Sequence, residues 1–251
     1  MTNTILDNTT GFIFAAGLGT RLRPLTETTP KSLVEIGGRP ILEYSLDLML
    51  DLGIRKVIIN TSYLKEQFHK YAGIYKGKLE VILSEEESEP LGHAGGLRFA
   101  KNLITTKYIL TLNADTIIRF DRQAFYQELA EFGKLKTENR LGVGVFKTQN
   151  PPLFFDRDYN LLAIKDRQFR DGKLTKKLSF DNAGIHILTT SCLDLISPEE
   201  GFMGFYGEDD LIERLLNSKG TVVGVPLKKL KRYELTNLQD LERLNSRSLD
   251  I

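Results

Sequence analysis

Two glycines, two cations and a carboxylate mark where this chain could handle a polyphosphate. Gly17, Gly19, Thr20 and Arg21 follow the apolar run Phe12-Ile13-Phe14-Ala15-Ala16, and a second cation, Lys31, comes just after Pro30. Glycine lets the backbone approach an anion closely, consecutive N–H groups converge on phosphate oxygens, and cations offset the charge that remains. Gly17-x-Gly19 alone is equally what an ordinary tight turn needs. The two cations tip the reading towards a phosphate loop at the end of a buried strand. It is not a P-loop, because no Gly-Lys-Ser/Thr follows, and it lacks the third glycine of a dinucleotide fingerprint.

The carboxylate is Asp115, which follows the apolar stretch Lys107 to Leu112 through Asn113-Ala114. Open α/β sheets place ligand chemistry at the C-terminal ends of their strands; a turn-capping aspartate is the plainer alternative. Gly92, Gly95 and Gly96 crowd the start of a helix, where a backbone can approach a flat ligand. The acidic run before them reads as a solvated face. His93 reads as a surface or internally satisfied histidine. Glu208-Asp209-Asp210 suits a helix N-terminus without any function. Cys192, the single cysteine, has no base beside it and reads as a packing residue.

These groups need a scaffold, and the hydrophobic pattern supplies one. Helical spacing over Ile41–Leu50 ends at Gly53, and Lys56–Asn60 and Leu79–Leu83 read as strands around a short helix at Leu64–Tyr71. A helix ending near Leu103, the strand Lys107–Leu112, a helix over Gln123–Phe132 and the strand Leu141–Phe146 continue the alternation. That order predicts an α/β protein with a parallel sheet and helices on its faces. From Lys147 to Phe180 the pattern loosens into hairpins. The strand Phe180–Leu188, a helix over Leu211–Leu216, the strand Thr221–Val225 and a last helix follow. The basic run from Lys228 to Arg232 reads as a solvated face.

At 251 residues, 41% hydrophobic and with a net charge of +1, the chain can bury a full core. Balanced charge argues against a nucleic-acid binder held by its overall field. No apolar run is long enough to cross a bilayer, and the polar first ten residues lack a signal-peptide centre, so a cytoplasmic protein is expected. No hexapeptide repeats are present.

Ala16 to Thr26, read with Pro30-Lys31, resembles the signature of the sugar-1-phosphate nucleotidyltransferases, and the likeness extends over most of the chain. It implies a Rossmann-like, GT-A-like nucleotidyltransferase fold: a mixed, mainly parallel central sheet flanked by helices, with a small sugar-side subdomain. Residues 1–251 would form one domain, about 11–146 being the nucleotide half and 147–251 the sugar half. The resemblance implies a nucleoside triphosphate held by Ala15, Ala16, Gly17, Gly19, Thr20, Arg21, Glu86, Pro90, Gly92 and Asn113. A sugar 1-phosphate would be held by Gly96, Lys176, Asn182, Gly184 and Glu208. Arg21, Lys31 and Asp115 would be catalytic, with Mg2+ on Asp115 and on Glu234, which stands where the family has a second metal aspartate.

The implied reaction moves a nucleotidyl group to a sugar 1-phosphate and releases pyrophosphate. The first expectation is UTP with an N-acetylmuramate-type or related hexose 1-phosphate. Alternatives are guanylyl transfer to heptose or mannose 1-phosphate, cytidylyl transfer to phosphocholine, and a nucleotide-sugar-binding regulatory subunit. A monomer or small homo-oligomer is expected, with neither nucleic acid nor membrane as partner.

Overall fold

The apolar run before Gly17 forms β1 (Thr9–Phe14), which is buried on both sides along nearly its whole length. An uninterrupted apolar strand demands cover on both faces, and the chain provides it. The computed structural model describes residues 5–87, 89–169, 177–197 and 201–246. After β1 come the short strands β2 (Glu35–Ile36) and β3 (Arg39–Pro40), then α1 (Ile41–Asp51), β4 (Lys56–Thr61), β5 (Gly73–Tyr75) and β6 (Leu79–Glu85). The middle of the chain holds α2 (Gly92–Phe99), β7 (Tyr108–Asn113), β8 (Thr116–Arg119), α3 (Arg122–Lys134) and β9 (Arg140–Phe146). Three strands, β10 (Leu153–Phe155), β11 (Leu161–Ile164) and β12 (Arg167–Gln168), make the expected hairpins and lead into β13 (Leu178–Thr189). The chain continues through α4 (Leu211–Asn217), β14 (Thr221–Pro226), β15 (Lys231–Glu234) and α5 (Leu238–Ser246).

The principal sheet runs β12-β11-β10-β13-β7-β1-β4-β6-β5, with β9 joined to β13 and β14 to β9. Its centre, β7-β1-β4-β6, is parallel. The antiparallel part begins where β13 pairs with β7. This is the expected mixed sheet flanked by helices, and strands from both 11–146 and 147–251 share it.

Alternation along the strands divides the core between the two faces. Ile13 and Ile59 point to α1 and α3, joining Leu42, Leu46, Phe125 and Leu129. Phe12 and Ile58 point the other way, to α2 and α4, joining Leu97, Leu211 and Leu215. Each such fully buried side chain contributes roughly 1.5–3 kcal/mol. No helix among the described residues is long and apolar enough to cross a membrane.

Two details differ from the sequence reading. The Leu64–Tyr71 helix is a 3-10 segment, Lys65–Tyr71. The supposedly solvated basic run ends in β15, which pairs antiparallel with β8 so that Glu234 faces Thr116. Edge strands tolerate lysine and arginine on an open side, so charge density alone hid this ladder. It matters because Leu235 donates its N–H to the Asp115 carbonyl at 2.9 Å, tying the last part of the chain to the candidate site.

Candidate active site

A cleft of about 350 Å3 opens over the C-terminal ends of β1 and β7. The segment between β1 and α1 builds its first wall, with Gly17, Gly19, Thr20, Arg21, Lys31 and Ser32 lining it. Gly19 takes φ +63°, and a side chain there would come within 2.9 Å of Lys31 Cβ. Thr26 Oγ1 closes the turn by donating to the Gly19 carbonyl at 2.8 Å. The floor is Phe14, Ala15, Ala16, Asn113, Ala114 and Asp115. Asp115 accepts from Lys31 Nζ at 2.5 Å and from Thr116 Oγ1 at 3.0 Å. Ala114 N–H to the Phe14 carbonyl, 3.1 Å, holds the two strand ends side by side.

The second wall comes from the opposite face of the sheet: Pro90, Gly92 and His93 at the start of α2, and Phe202 beside them. Gly92 has φ +77°, and a Cβ would lie 2.5 Å from the Met203 carbonyl oxygen. Gly92→Ala is therefore expected to destabilise the fold by roughly 2–4 kcal/mol, through a disfavoured φ and a backbone clash. Urea unfolding of this variant checks it, a midpoint equal to wild type being the contrary result.

The predicted residues divide when placed. Ala15, Ala16, Gly17, Gly19, Thr20, Arg21, Lys31, Pro90, Gly92, Asn113 and Asp115 all meet at the cleft. Glu86 does not: it is fully buried, its two oxygens taken by Asn60 Nδ2 at 2.7 Å and Leu91 N–H at 2.9 Å. Burial pushes its pKa up against those two hydrogen bonds. Asn60 in turn accepts from Ala15 N–H at 2.9 Å, so Glu86 braces the β1 exit from behind. Gly96 belongs to the same brace, since a Cβ there would sit 2.7 Å from both Asn60 Nδ2 and Glu86 Oε1.

On the sugar side, Asn182 accepts from Gly184 N–H at 2.9 Å within a break in the β13–β9 register. A Cβ on Gly184 would be 3.3 Å from the Asn113 side chain, so Gly184 stands against Asn113, and neither Asn182 nor Gly184 lines the cleft. Glu208 is exposed. Lys176 lies outside the described residues; its neighbour Lys177 sits over the Phe154 ring at 3.9 Å. The Glu234 carboxylate pairs with Arg232 at 2.9 Å, and Thr236, two residues on, lines the cleft instead.

Several cleft residues escaped the sequence reading. His93 is open to the cleft, without a hydrogen-bond partner among the described residues. Its ring is fixed by Phe14 at 4.6 Å and Phe205 at 5.8 Å. Its enclosed position lowers its pKa, partly countered by Asp115 and Asp210. The other two histidines are hydrogen-bonded: His69 meets Glu85, and His186 bonds Thr111 at 3.0 Å and Tyr206 at 2.7 Å. Ser32, which was also not expected here, has a buried Oγ without a partner among the described residues, as has the Oδ1 of the predicted Asn113.

Burial, with a smaller contribution from His93, pushes the pKa of His186 down to about 3. The unfolded chain therefore takes up this proton near pH 6.5 while the folded chain refuses it, and stability falls as pH drops below 6.5. At pH 4.5 the loss should be roughly 2–3 kcal/mol. Urea unfolding at pH 7 and 4.5 measures it: His186→Gln should flatten that difference, and an unchanged slope would contradict the assignment.

Comparison with known proteins places this geometry. The chain matches the profile of the nucleotidyl transferase family over residues 10–154. It belongs to that family. It is 35% identical over 202 residues to the mannose-1-phosphate guanylyltransferase catalytic subunit beta of Drosophila pseudoobscura pseudoobscura, covering 77% of this chain and 51% of the relative. It is 30% identical over 201 residues to the mannose-1-phosphate guanyltransferase of Saccharomyces cerevisiae, covering 74% and 51%. The chain thus spans about half the length of the curated relatives it matches. Among solved structures, HddC from Yersinia pseudotuberculosis complexed with GMP-PN superposes with TM-score 0.68 at 21% identity, over 94% of this chain and 98% of that one. A UDP-glucose pyrophosphorylase complexed with UDP-glucose gives 0.70 at 17%, over 95% and 97%. Such likeness carries the fold.

Proposed function

We propose that the chain catalyses guanylyl transfer from GTP to a hexose 1-phosphate of the mannose type, giving a nucleotide sugar and pyrophosphate. The observation that carries the chemistry is the convergence of Arg21, Lys31 and Asp115 on one cleft beside the Gly17–Thr20 backbone. The choice of guanine and mannose rests on the relatives, which are mannose-1-phosphate guanylyltransferases. They support the guanylyl alternative over the uridylyl, N-acetylmuramate-type expectation.

In this reading an oxygen of the acceptor phosphate forms the new bond to the α-phosphorus as the bond to the bridging oxygen of the β-phosphate breaks. The acceptor oxygen is already ionised, so no general base is needed, and the protein contributes positioning and charge. Arg21, Lys31 and the Gly17–Thr20 amides hold the β- and γ-phosphates. The unpartnered Asn113 Oδ1 accepts from the nucleoside. Asp115 fits a magnesium ion carried by the triphosphate. It lies in the cleft with only Lys31 and Thr116 on it, and among the described residues no cluster of three or more ligating side chains could hold a metal alone. Magnesium takes one or two carboxylates plus substrate phosphates, which is what this site offers. Glu234, expected as a second ligand, is paired with Arg232 and does not line the cleft, so Asp115 is the carboxylate that would hold the ion. When bound, the ion supplies neutralisation of phosphate charge.

Pyrophosphate release tests the substrate pair. GTP, UTP, CTP and dTTP are crossed with mannose, heptose, glucose and N-acetylmuramate 1-phosphates and phosphocholine. The strongest response is expected from GTP with mannose 1-phosphate; a response confined to UTP or CTP would reject the guanylyl reading.

A further inference from the structure

We infer that Phe202 is the nucleobase-stacking residue of the cleft and that it favours a purine; this rests on the nucleotidyl-transfer reading above. Phe202 is 77% exposed, more than any other large hydrophobic side chain among the described residues, and it lines the cleft. An aromatic ring left in water at a binding cleft is a surface kept free for a ligand.

The backbone beside the ring is anchored. Its neighbour Met203 donates its N–H to the Leu91 carbonyl at 2.8 Å, and the Met203 carbonyl accepts from Ala94 at 2.9 Å and Gly95 at 3.3 Å. The Met203 side chain is buried in the core on the α2 face. One residue further, Gly204 donates to Asp210 Oδ1 at 3.0 Å. Phe202 is thus fastened to the start of α2, next to Gly92.

Charge separates the two walls. Arg21 and Lys31 stand on the wall from the α1 face, whereas Pro90, Gly92, His93 and Phe202 bring no formal charge to the wall from the α2 face. A nucleoside triphosphate has one strongly anionic end and one flat uncharged end. Its phosphates belong with the cations, which leaves the base to the aromatic wall, and a purine covers more of a phenyl face than a pyrimidine does.

Calorimetric titration with GTP and with UTP, in Mg2+ and without acceptor, tests this on wild type and on Phe202→Ala, Phe202→Leu and Phe202→Trp. With Phe202 so exposed, all three are expected to fold. The alanine and leucine variants should each weaken GTP binding on the order of tenfold and UTP binding less, while tryptophan retains it. In steady-state assays the KM for GTP should rise and that for the acceptor should not. Unchanged GTP affinity, a leucine variant equal to wild type, or a rise confined to the acceptor KM overturns the inference. Pyrophosphate release by wild type is read in the same preparations. If release persists while GTP binding ignores the Phe202 variants, only this inference fails; without release or nucleotide binding, the transferase reading fails with it.

Discussion

Asp115→Asn is expected to lower turnover by at least about 1000-fold, near the upper end of what removing one preorganised electrostatic group costs. Stability should hardly change. The Asp115 side chain is about a quarter exposed, and its structural hydrogen bond, from Thr116 Oγ1, can still be accepted by an asparagine amide oxygen. The backbone link from Leu235 to the Asp115 carbonyl does not depend on the side chain. Turnover with GTP, mannose 1-phosphate and Mg2+, set beside a urea unfolding curve, separates the two effects. A variant with near wild-type turnover would remove Asp115 from the mechanism.

Lys31→Met is expected to cost roughly 100- to 1000-fold in kcat/KM, because one cation of the phosphate wall is lost in a partly buried site. Lys31 is 15% exposed and 2.5 Å from Asp115, so in the proposed reaction the two groups would act on one triphosphate from adjacent positions. Groups that work as a unit lose less together than the product of their separate losses. The double variant Lys31→Met with Asp115→Asn should therefore be only modestly slower than Asp115→Asn. Fully multiplicative losses would mean that the pair does not act on one event.

The wall from Gly17 to Lys31 was legible because local sequence specifies it: strand, glycines, threonine, arginine and lysine lie within about one loop, and the loop's own hydrogen bonds close it. The parallel sheet was legible for the same reason, since each strand carries its apolar run. What escaped depends on partners distant in sequence. Nothing local says that Glu86, in an acidic run, is buried against Asn60, or that Gly96 is small for that pair rather than for a sugar. Nothing near His93 shows that it packs on Phe205, more than a hundred residues later. The β8–β15 ladder combines a strand of four residues with one rich in charge, and neither part signals alone. Nothing in the sequence around Phe202 says that Met203 beside it is fastened to α2.

Radiolabel tracing decides whether this cleft transfers a nucleotidyl group to a sugar phosphate. Wild-type protein is incubated with [α-32P]GTP, unlabelled mannose 1-phosphate and Mg2+, and the products are separated by chromatography. Label is expected in the nucleotide sugar, with unlabelled pyrophosphate in equal amount and neither product from Asp115→Asn. Label appearing only as free GDP or GMP, with no nucleotide sugar, would contradict that transfer.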